Sequence, residues 1–365
     1  MLAGEFVTAE VPAVSERDLS FMIARRAAWS WFGVLVLLVW AWPAAAAAQS
    51  LAESFKQVTP SVVVIRARGQ ELTRTGQKSF TETGSGVLIS ADGQVMTASH
   101  VVHSMDEISV EFLGGETVAA RIVASEPAAD LSLLQLERMP AGARPAKMAN
   151  SDGVQVGDSV MVVGAPYGLA YSLSTGIISA RWAPNTMYRS MPLAEFFQTT
   201  ATINTGNSGG PMFNMAGDVI GIVSHNISKS GGSEGLGFVV TLNTARQLLL
   251  EKKSFWSGLD GQFLPDHVAD LLNLPENATG YIVKSVARNS PGEVLGLRGG
   301  TTLVVIDGQE WPLGGDIILE VHGIAMKSAN TSKLREVMSR LRSGDSYRVK
   351  VLRAGRVLDL TATAP

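Results

Sequence analysis

The segment Gly206-Asn207-Ser208-Gly209-Gly210-Pro211 is the part of this chain best suited to chemistry. A nucleophilic serine needs its Oγ on a sharply turned backbone, with two N–H groups aimed at the carbonyl oxygen it attacks. Glycines flanking Ser208 permit that backbone and let a substrate approach closely; the alternative is a plain glycine-rich turn between strands. A serine also needs a base. The chain has five histidines: His100, His103, His225, His267 and His322. His100 stands out because it closes Thr97-Ala98-Ser99-His100-Val101-Val102, where small residues leave room for an imidazole to face a cleft. His103 is the near competitor, and either could be a surface loop histidine. His225 lies in the strand after the serine and could line a substrate groove. An imidazole base needs a carboxylate that holds its tautomer and stabilises the imidazolium. Asp130 opens Asp130-Leu131-Ser132-Leu133-Leu134, a place where a lone aspartate is usually a turn residue. Its interest lies in its order and spacing, 30 residues after His100 and 78 before Ser208.

Elements of two kinds must position these groups. The 365 residues suggest about two domains. From about residue 51 to 250 the pattern is short apolar strands broken by glycine-containing turns. Residues 86–90, Ala91-Asp92-Gly93 and residues 94–98 read as a hairpin, with Asp-Gly supplying positive φ angles. Residues 131–136, 159–164 and 219–224 are further strands, and this spacing argues a sandwich or barrel. Residues 244–251 look helical and close the unit. The last 110 or so residues read as α+β. They hold a short helix at 264–272, a strand at 281–286, an amphipathic helix at 332–341 with Leu334, Val337, Met338 and Leu341 on one face, and a closing hairpin through Ala354-Gly355.

Composition excludes several classes. Hydrophobic residues at 46% and charged residues at 17% are enough for real cores, so the chain is not disordered as a whole. Lys+Arg 30 against Asp+Glu 33 shows no basic bias toward nucleic acid. Zero cysteine removes a disulfide scaffold, a cysteine zinc site, an iron–sulfur cluster and a thiol nucleophile. His100 and His103 are three apart with no third ligand, and there is no P-loop, so neither a metal nor a cofactor is expected. Residues 27–48 are almost wholly apolar, follow Arg25-Arg26, and end in small residues with Ala46 and Ala48 as A-x-A before Gln49. That is the order of a cleaved secretory signal, and its 22 residues would also serve as a membrane anchor. Met22 is a better start for such a signal than Met1.

Three motifs together carry a resemblance. GSGVLIS-ADGQVMTASHVV, the AADLSLLQL segment and INTGNSGGPMFN with GDVIGIVS resemble the HtrA/Deg branch of trypsin-like serine proteases, from about Leu51 to the carboxy terminus. The order His, Asp, Ser is also that of the chymotrypsin-type fold. The resemblance implies a mainly β chain, a double six-stranded β-barrel followed by an α+β PDZ domain. It implies His100 as general base, Asp130 as orienting acid, Ser208 as nucleophile, and the N–H groups of Gly206 and Ser208 as oxyanion hole. It puts the S1 pocket at Thr202, Ile203, Ser224, His225 and Asn226. Thr202 is not an acid, so cleavage after small or medium aliphatic residues is expected rather than after Lys or Arg. Two departures stand out: Ala98-Ser99 where the family usually has Asn-Asn, and Gln198-Thr199-Thr200-Ala201 where it commonly has an aspartate, which puts an activation switch through that loop in doubt.

Trp256-Ser257-Gly258-Leu259 resembles the entry to an HtrA-type PDZ, in which Ser257, Gly258 and Leu259 form the carboxylate loop, the adjoining strand pairs with a peptide, and helix 332–341 forms the other groove wall. Residues 301–314 interrupt the usual PDZ core and could form an extra hairpin bearing an exposed Trp311. The expected organisation is an address at 1–48, a protease domain at 49–253 and a PDZ domain at 254–365. The resemblance implies an exported, periplasmic endopeptidase without cofactors. Its partners would be unfolded proteins, carboxy-terminal peptides at the PDZ, and further copies of itself in trimers or multiples of trimers. The alternatives are a non-catalytic chaperone or scaffold on the same fold, or a membrane-anchored stress-sensing protease with one substrate.

Overall fold

Alternating apolar residues dictate the architecture. In the computed structural model, which describes residues 50–275 and 278–364, twelve strands close into two barrels of six. The first runs β1-β2-β3-β6-β5-β4, from β1 (Val62–Thr73), β2 (Gly76–Leu88), β3 (Gln94–Thr97), β4 (Glu107–Glu111), β5 (Thr117–Glu126) and β6 (Leu131–Leu136). The second runs β10-β11-β12-β9-β8-β7, from β7 (Ser159–Gly164), β8 (Ser172–Trp182), β9 (Phe196–Thr199), β10 (Pro211–Asn214), β11 (Val219–Asn226) and β12 (Gly237–Thr241). This is the chymotrypsin-like double barrel expected from the sequence.

Each strand's period of two sorts its side chains between two cores. Val63, Ile65 and Ala67 fill the first barrel, while Val62 faces the second. Val160 and Val162 fill the second barrel, while Met161 and Val163 face the first. Strands buried on both sides read as continuous apolar runs, which is why residues 160–163 and 219–223 show no polar alternation. The layer between the barrels includes Met96, Leu131, Leu133, Phe196, Phe213, Ile222 and Phe238. Catalytic candidates from both barrels meet at the rim of this layer.

The chain leaves the second barrel through the helix Leu242–Ala245, which continues as a wider turn over Arg246–Glu251. The helix therefore starts two residues before the expected 244. Beyond it, β13 (Leu259–Phe263), β14 (Tyr281–Val286), β17 (Ile317–Val321), β19 (Ser346–Arg353) and β20 (Arg356–Thr363) form a sheet in that order, with β18 (Ile324–Ala325) paired to β17. The helix Thr331–Ser339 covers one face through Leu334 and Met338. The helix Asp266–Leu271, shorter than the expected 264–272, lies on the other with Val268 and Ala269. Asp316 is fully buried and is held by a bidentate pair with Arg353 at 2.6 and 2.7 Å.

The insertion at 301–314 forms a separate hairpin of β15 (Thr302–Ile306) and β16 (Gln309–Leu313). Trp311 corrects the sequence reading. It is 2% exposed and packs in the core formed with Leu264, Val268, Ile317 and Leu352. An indole in a turn-rich insertion looked exposed because the residues it packs on lie elsewhere in the chain. The hairpin is thus a lid on the open face of the sheet. The apolar segment 27–48 lies outside the described residues, and no helix among the described residues is long and apolar enough to cross a membrane.

Candidate active site

Strand register brings His100 and Asp130 together. β3 pairs antiparallel with β6, with Thr97 opposite Ser132. Continuing that register carries the chain beyond Thr97 back past residue 129. The short helix Ser99–Val102 lifts His100 there, starting from an extended Ala98. Asp130 follows the 3-10 turn Pro127–Ala129 with φ 54°, a left-handed geometry that aspartate tolerates better than most residues. Its Oδ1 accepts from the His100 backbone N–H at 3.1 Å and lies 2.9 Å from Nδ1, with Oδ2 at 3.0 Å from the same nitrogen. The carboxylate therefore holds both the helix and the ring.

Ser208 comes from the second barrel, in the turn before β10. Gly209 N–H donates to Val223 at 2.7 Å and Val223 N–H to Gly210 at 2.8 Å, which zips this turn onto β11. The flanking glycines are required. Gly209 has φ +83°, and a Cβ there would stand 2.1 Å from Thr97 Oγ1; Gly206 has φ +98°, and its Cβ would stand 2.2 Å from the Ala165 carbonyl. Ser208 Oγ donates to the Ser224 carbonyl at 3.1 Å, and in this conformation no hydrogen bond joins it to the imidazole. Among the described residues, the N–H groups of Gly206 and Ser208 have no acceptor within the chain.

Ser85 was not singled out from the sequence, yet it joins the barrels. It is fully buried. Its N–H donates to the Ser208 carbonyl at 2.8 Å, its Oγ donates to the Gly206 carbonyl at 2.7 Å, and it accepts from Ala165 N–H at 2.9 Å. These bonds orient both peptide units next to the nucleophile candidate. Only its place between Gly84 and Gly86 hinted at a role.

Electrostatics separate the candidate histidines. Burial pulls the His100 imidazole down, but the hydrogen bond to Asp130 and the charges of Asp130 and Glu82 outweigh it, so its pKa lies above the ordinary 6.5. Burial alone would raise Asp130; hydrogen bonds from His100 and Ser224, with the His100 charge, hold it below the usual carboxylate range. His103 turns away. Its Nδ1 lies 2.7 Å from Ser125 Oγ and its Nε2 3.2 Å from the Leu259 carbonyl. Burial lowers its pKa against the opposing pull of Leu259 and Asp260. That distribution of partners leaves His100 as the imidazole beside an ionised carboxylate.

The residues assigned to S1 scatter. Thr202 is exposed, with its carbonyl accepting from Ser174 Oγ at 2.9 Å. Ile203 is 1% exposed and points into the second-barrel core against Gly237, so it does not line an open pocket. Ser224 Oγ donates to Asp130 Oδ2, which places it beside the carboxylate instead. His225 sits in an aromatic box with Tyr188, Phe196 and Phe238. Asn226 Nδ2 donates to the Gly232 carbonyl at 3.2 Å. Ser224, His225 and Asn226 are consecutive on β11, whose side chains alternate between its two faces, while Thr202 and Ile203 lie on the segment between β9 and Ser208.

Comparison with known proteins now has a geometry to explain. A model of the trypsin-like peptidase domain matches residues 84–222. A probable periplasmic serine endoprotease, DegP-like, from Hahella chejuensis is 31% identical over 301 residues, covering 80% of this chain and 59% of the relative. One of the same description from Pseudomonas putida (strain GB-1) is 35% identical over 268 residues, covering 71% and 54%. A variant of the HtrA-type protease AlgW solved with a decapeptide is 28% identical, with TM-score 0.52, and the match covers 86% of this chain and 96% of that one.

The chain carries a trypsin-like peptidase domain and is similar to HtrA-type proteases.

The chain spans little more than half the length of those two DegP-like relatives. The peptidase-domain match contains His100, Asp130 and Ser208.

A second concave region lies between the first barrel and the carboxy-terminal sheet. It is a groove of about 260 Å³ lined by Leu259, Tyr281, Leu295, Ile318, Leu334 and Met338, with His103 and Glu126 from the barrel at its border. β13 is the edge strand beside it. Ser257 Oγ accepts from Leu259 N–H at 3.4 Å, and Gly258, at φ +75°, turns its carbonyl to Ala287 N–H at 2.8 Å. Arg335 pairs with Glu126 at 2.6 Å, and Trp256 Nε1 donates to the His103 carbonyl at 2.8 Å.

Proposed function

We propose that this chain is an exported, ATP-independent serine endopeptidase that cleaves unfolded proteins in the bacterial envelope. The observation that carries the reading is His100 straddled by the Asp130 carboxylate, with Ser224 touching both that carboxylate and Ser208 Oγ, and the N–H groups of Gly206 and Ser208 without acceptors among the described residues. Ser208 Oγ rotates from the Ser224 carbonyl to the His100 imidazole, gives up its proton there, and attacks the scissile carbonyl. Asp130 stabilises the imidazolium without taking its proton. The N–H groups of Gly206 and Ser208 hold the oxyanion, and His100 then protonates the leaving amine. The uncharged Thr202 fits cleavage after small aliphatic residues.

Residues 49–253 are the protease domain and 254–365 a PDZ domain with a hairpin insertion at 301–314. The edge of β13, which has no neighbouring strand and is touched by His103 at the Leu259 carbonyl, and the apolar groove beside helix Thr331–Ser339 support capture of a carboxy-terminal peptide by strand addition. The groove touches the catalytic barrel through Glu126 and His103, so peptide binding there regulates cleavage. The names of the relatives, with the apolar segment 27–48, support a periplasmic location, free or anchored, and similarity to HtrA-type proteases supports assembly in trimers.

The test is casein hydrolysis by wild type against Ser208→Ala, with new termini mapped by mass spectrometry, and a fluorophosphonate probe with and without carboxy-terminal peptides. Ser208-dependent cleavage after Val or Ala is expected. No labelling under either condition would leave the scaffold reading, and dominant cleavage after Lys or Arg would overturn the specificity.

A further inference from the structure

His225 makes contacts that the mechanism above does not use. It follows Ser224 on β11. Its ring stacks on Phe238 with centroids 5.2 Å apart and planes 15° apart, and it meets Tyr188 and Phe196 edge to face at 4.8 and 5.8 Å. Its Nδ1 lies 2.9 Å from Ser224 Oγ. Hydrogen counting then sets the direction of the bonds. Ser224 Oγ has one proton, and the Asp130 carboxylate oxygen beside it can only accept. The Ser224 proton therefore goes to Asp130, and its oxygen is left to accept from His225. In the neutral ring the proton must then sit on Nδ1, leaving Nε2 bare. Nε2 is buried without a partner, as is the Tyr188 hydroxyl in the same box.

We propose that His225 is a positioning residue for the Asp130 carboxylate, acting through Ser224 in the chain His225 Nδ1–H to Ser224 Oγ–H to Asp130 Oδ2. The aromatic box fixes the ring, the ring fixes the Ser224 hydroxyl, and the hydroxyl fixes the carboxylate oxygen not bonded to the His100 backbone. The proposal rests on the reading of His100, Asp130 and Ser208 as the reacting set. The titratable groups facing His225 are Asp130 and His100 from the first barrel and Tyr188 from the loop before β9; Phe196 of β9 and Phe238 of β12 supply apolar walls. Burial, and then the His100 charge, disfavour a second imidazolium here, against the pull of Asp130. The ring thus serves as a neutral donor and does not compete with His100 for the carboxylate.

His225→Phe keeps the ring and removes the donor, whereas His225→Asn keeps a donor near the Nδ1 position. His225→Phe is expected to lower kcat about tenfold, the worth of about one hydrogen bond, with KM within twofold. Deprived of its donor, Ser224 gives a weaker bond to Asp130, more of the carboxylate charge falls on His100, and the acid limb of kcat/KM moves to higher pH. His225→Asn should restore most of the rate and return the limb. A role in packing alone would move neither in this pattern. Independently of activity, ¹⁵N spectra of histidine-labelled Ser208→Ala protein at pH 8 should show His225 with its proton on Nδ1, its signals assigned by their loss in His225→Phe. A proton on Nε2 overturns the proposal, as does unchanged kcat and acid limb in folded His225→Phe. If wild type itself neither labels nor cleaves, the protease reading fails, and the tautomer still decides the hydrogen-bond chain. If His225→Phe does not fold, the His225→Asn profile and the Ser208→Ala spectrum decide.

Discussion

The cleft between the barrels and the groove beside the carboxy-terminal sheet share one stretch of chain. Glu126 ends β5 and faces the groove; Asp130, four residues later, faces His100. The cleft is built from polar groups held by direct hydrogen bonds. The groove is apolar, with a single buried ion pair at its border, where Arg335 is 22% and Glu126 6% exposed. The difference teaches how each works. Chemistry needs proton positions fixed to fractions of an ångström, so the cleft spends polar contacts on orientation. The proposed peptide capture would need area removed from water and a strand edge, which the apolar lining and β13 offer. The 3-10 turn Pro127–Ala129 between them links the two.

Several changes would break or sharpen this contrast. The largest effect belongs to Ser208→Ala, which should reduce kcat by about 10⁶-fold yet leave peptide affinity in the groove unchanged, measured by casein turnover and fluorescence anisotropy. Asp130→Asn keeps the shape and spoils the tautomer of His100; a loss of about 10⁴-fold in kcat is expected, again with no change in peptide binding. Trp311→Ala lies in the carboxy-terminal sheet, on the face opposite the groove. It should destabilise the carboxy-terminal sheet by about 3–5 kcal/mol, seen as an early melting step, while fluorophosphonate labelling of Ser208 persists. Arg335→Ala removes the counter-charge of the buried Glu126, which keeps only its bonds from Ser254 Oγ and Ala128 N–H, and should cost about 1–3 kcal/mol. Because Glu126 adjoins the turn to Asp130, it should also alter the response of turnover to peptide; a response identical to wild type would show that cleft and groove are uncoupled.

The smallest effect is a shift with pH. Turnover requires neutral His100, whose pKa lies above 6.5, so the acid limb of kcat/KM should lie above that value. The stability that His100 contributes has the opposite sign: it is fully present below 6.5 and is lost as pH rises through the folded pKa. Activity should therefore rise over the window in which this contribution fades. Thermal melts and rates across pH 6–9 check both, and a limb at or below 6.5 would contradict the Asp130 pairing.

Much of this was legible in the sequence. Strands at 131–136, 159–164 and 281–286 were readable to the residue, because β-branched and leucine runs bounded by glycine turns leave few other choices. Ser208 was legible because glycines surround it, and His100 because small residues precede it. The position of Trp311 was not legible, since its burial depends on Leu264 and Leu352, far away in the chain. Ile203 and Ser224 were assigned to one pocket by resemblance, whereas packing turns Ile203 into the second-barrel core and a hydrogen bond turns Ser224 to Asp130. Ser85 carried too little signal to notice, since a buried serine and an exposed one are written alike.

Residue types and their order specify which groups are available: Ser208 in its Gly-Asn-Ser-Gly-Gly segment, a histidine after a strand, an aspartate before one, no thiol, and local patterns sufficient for two barrels and an α+β sheet. Those are local properties of residue type and period. Only the tertiary structure decided which partners each group has. It turned His103 toward Leu259 and left His100 to Asp130, tied Ser85 to the turn at Ser208, and placed His225 behind Ser224. Several of the deciding bonds join atoms 80 or more residues apart, and only packing brings those atoms within reach of one another.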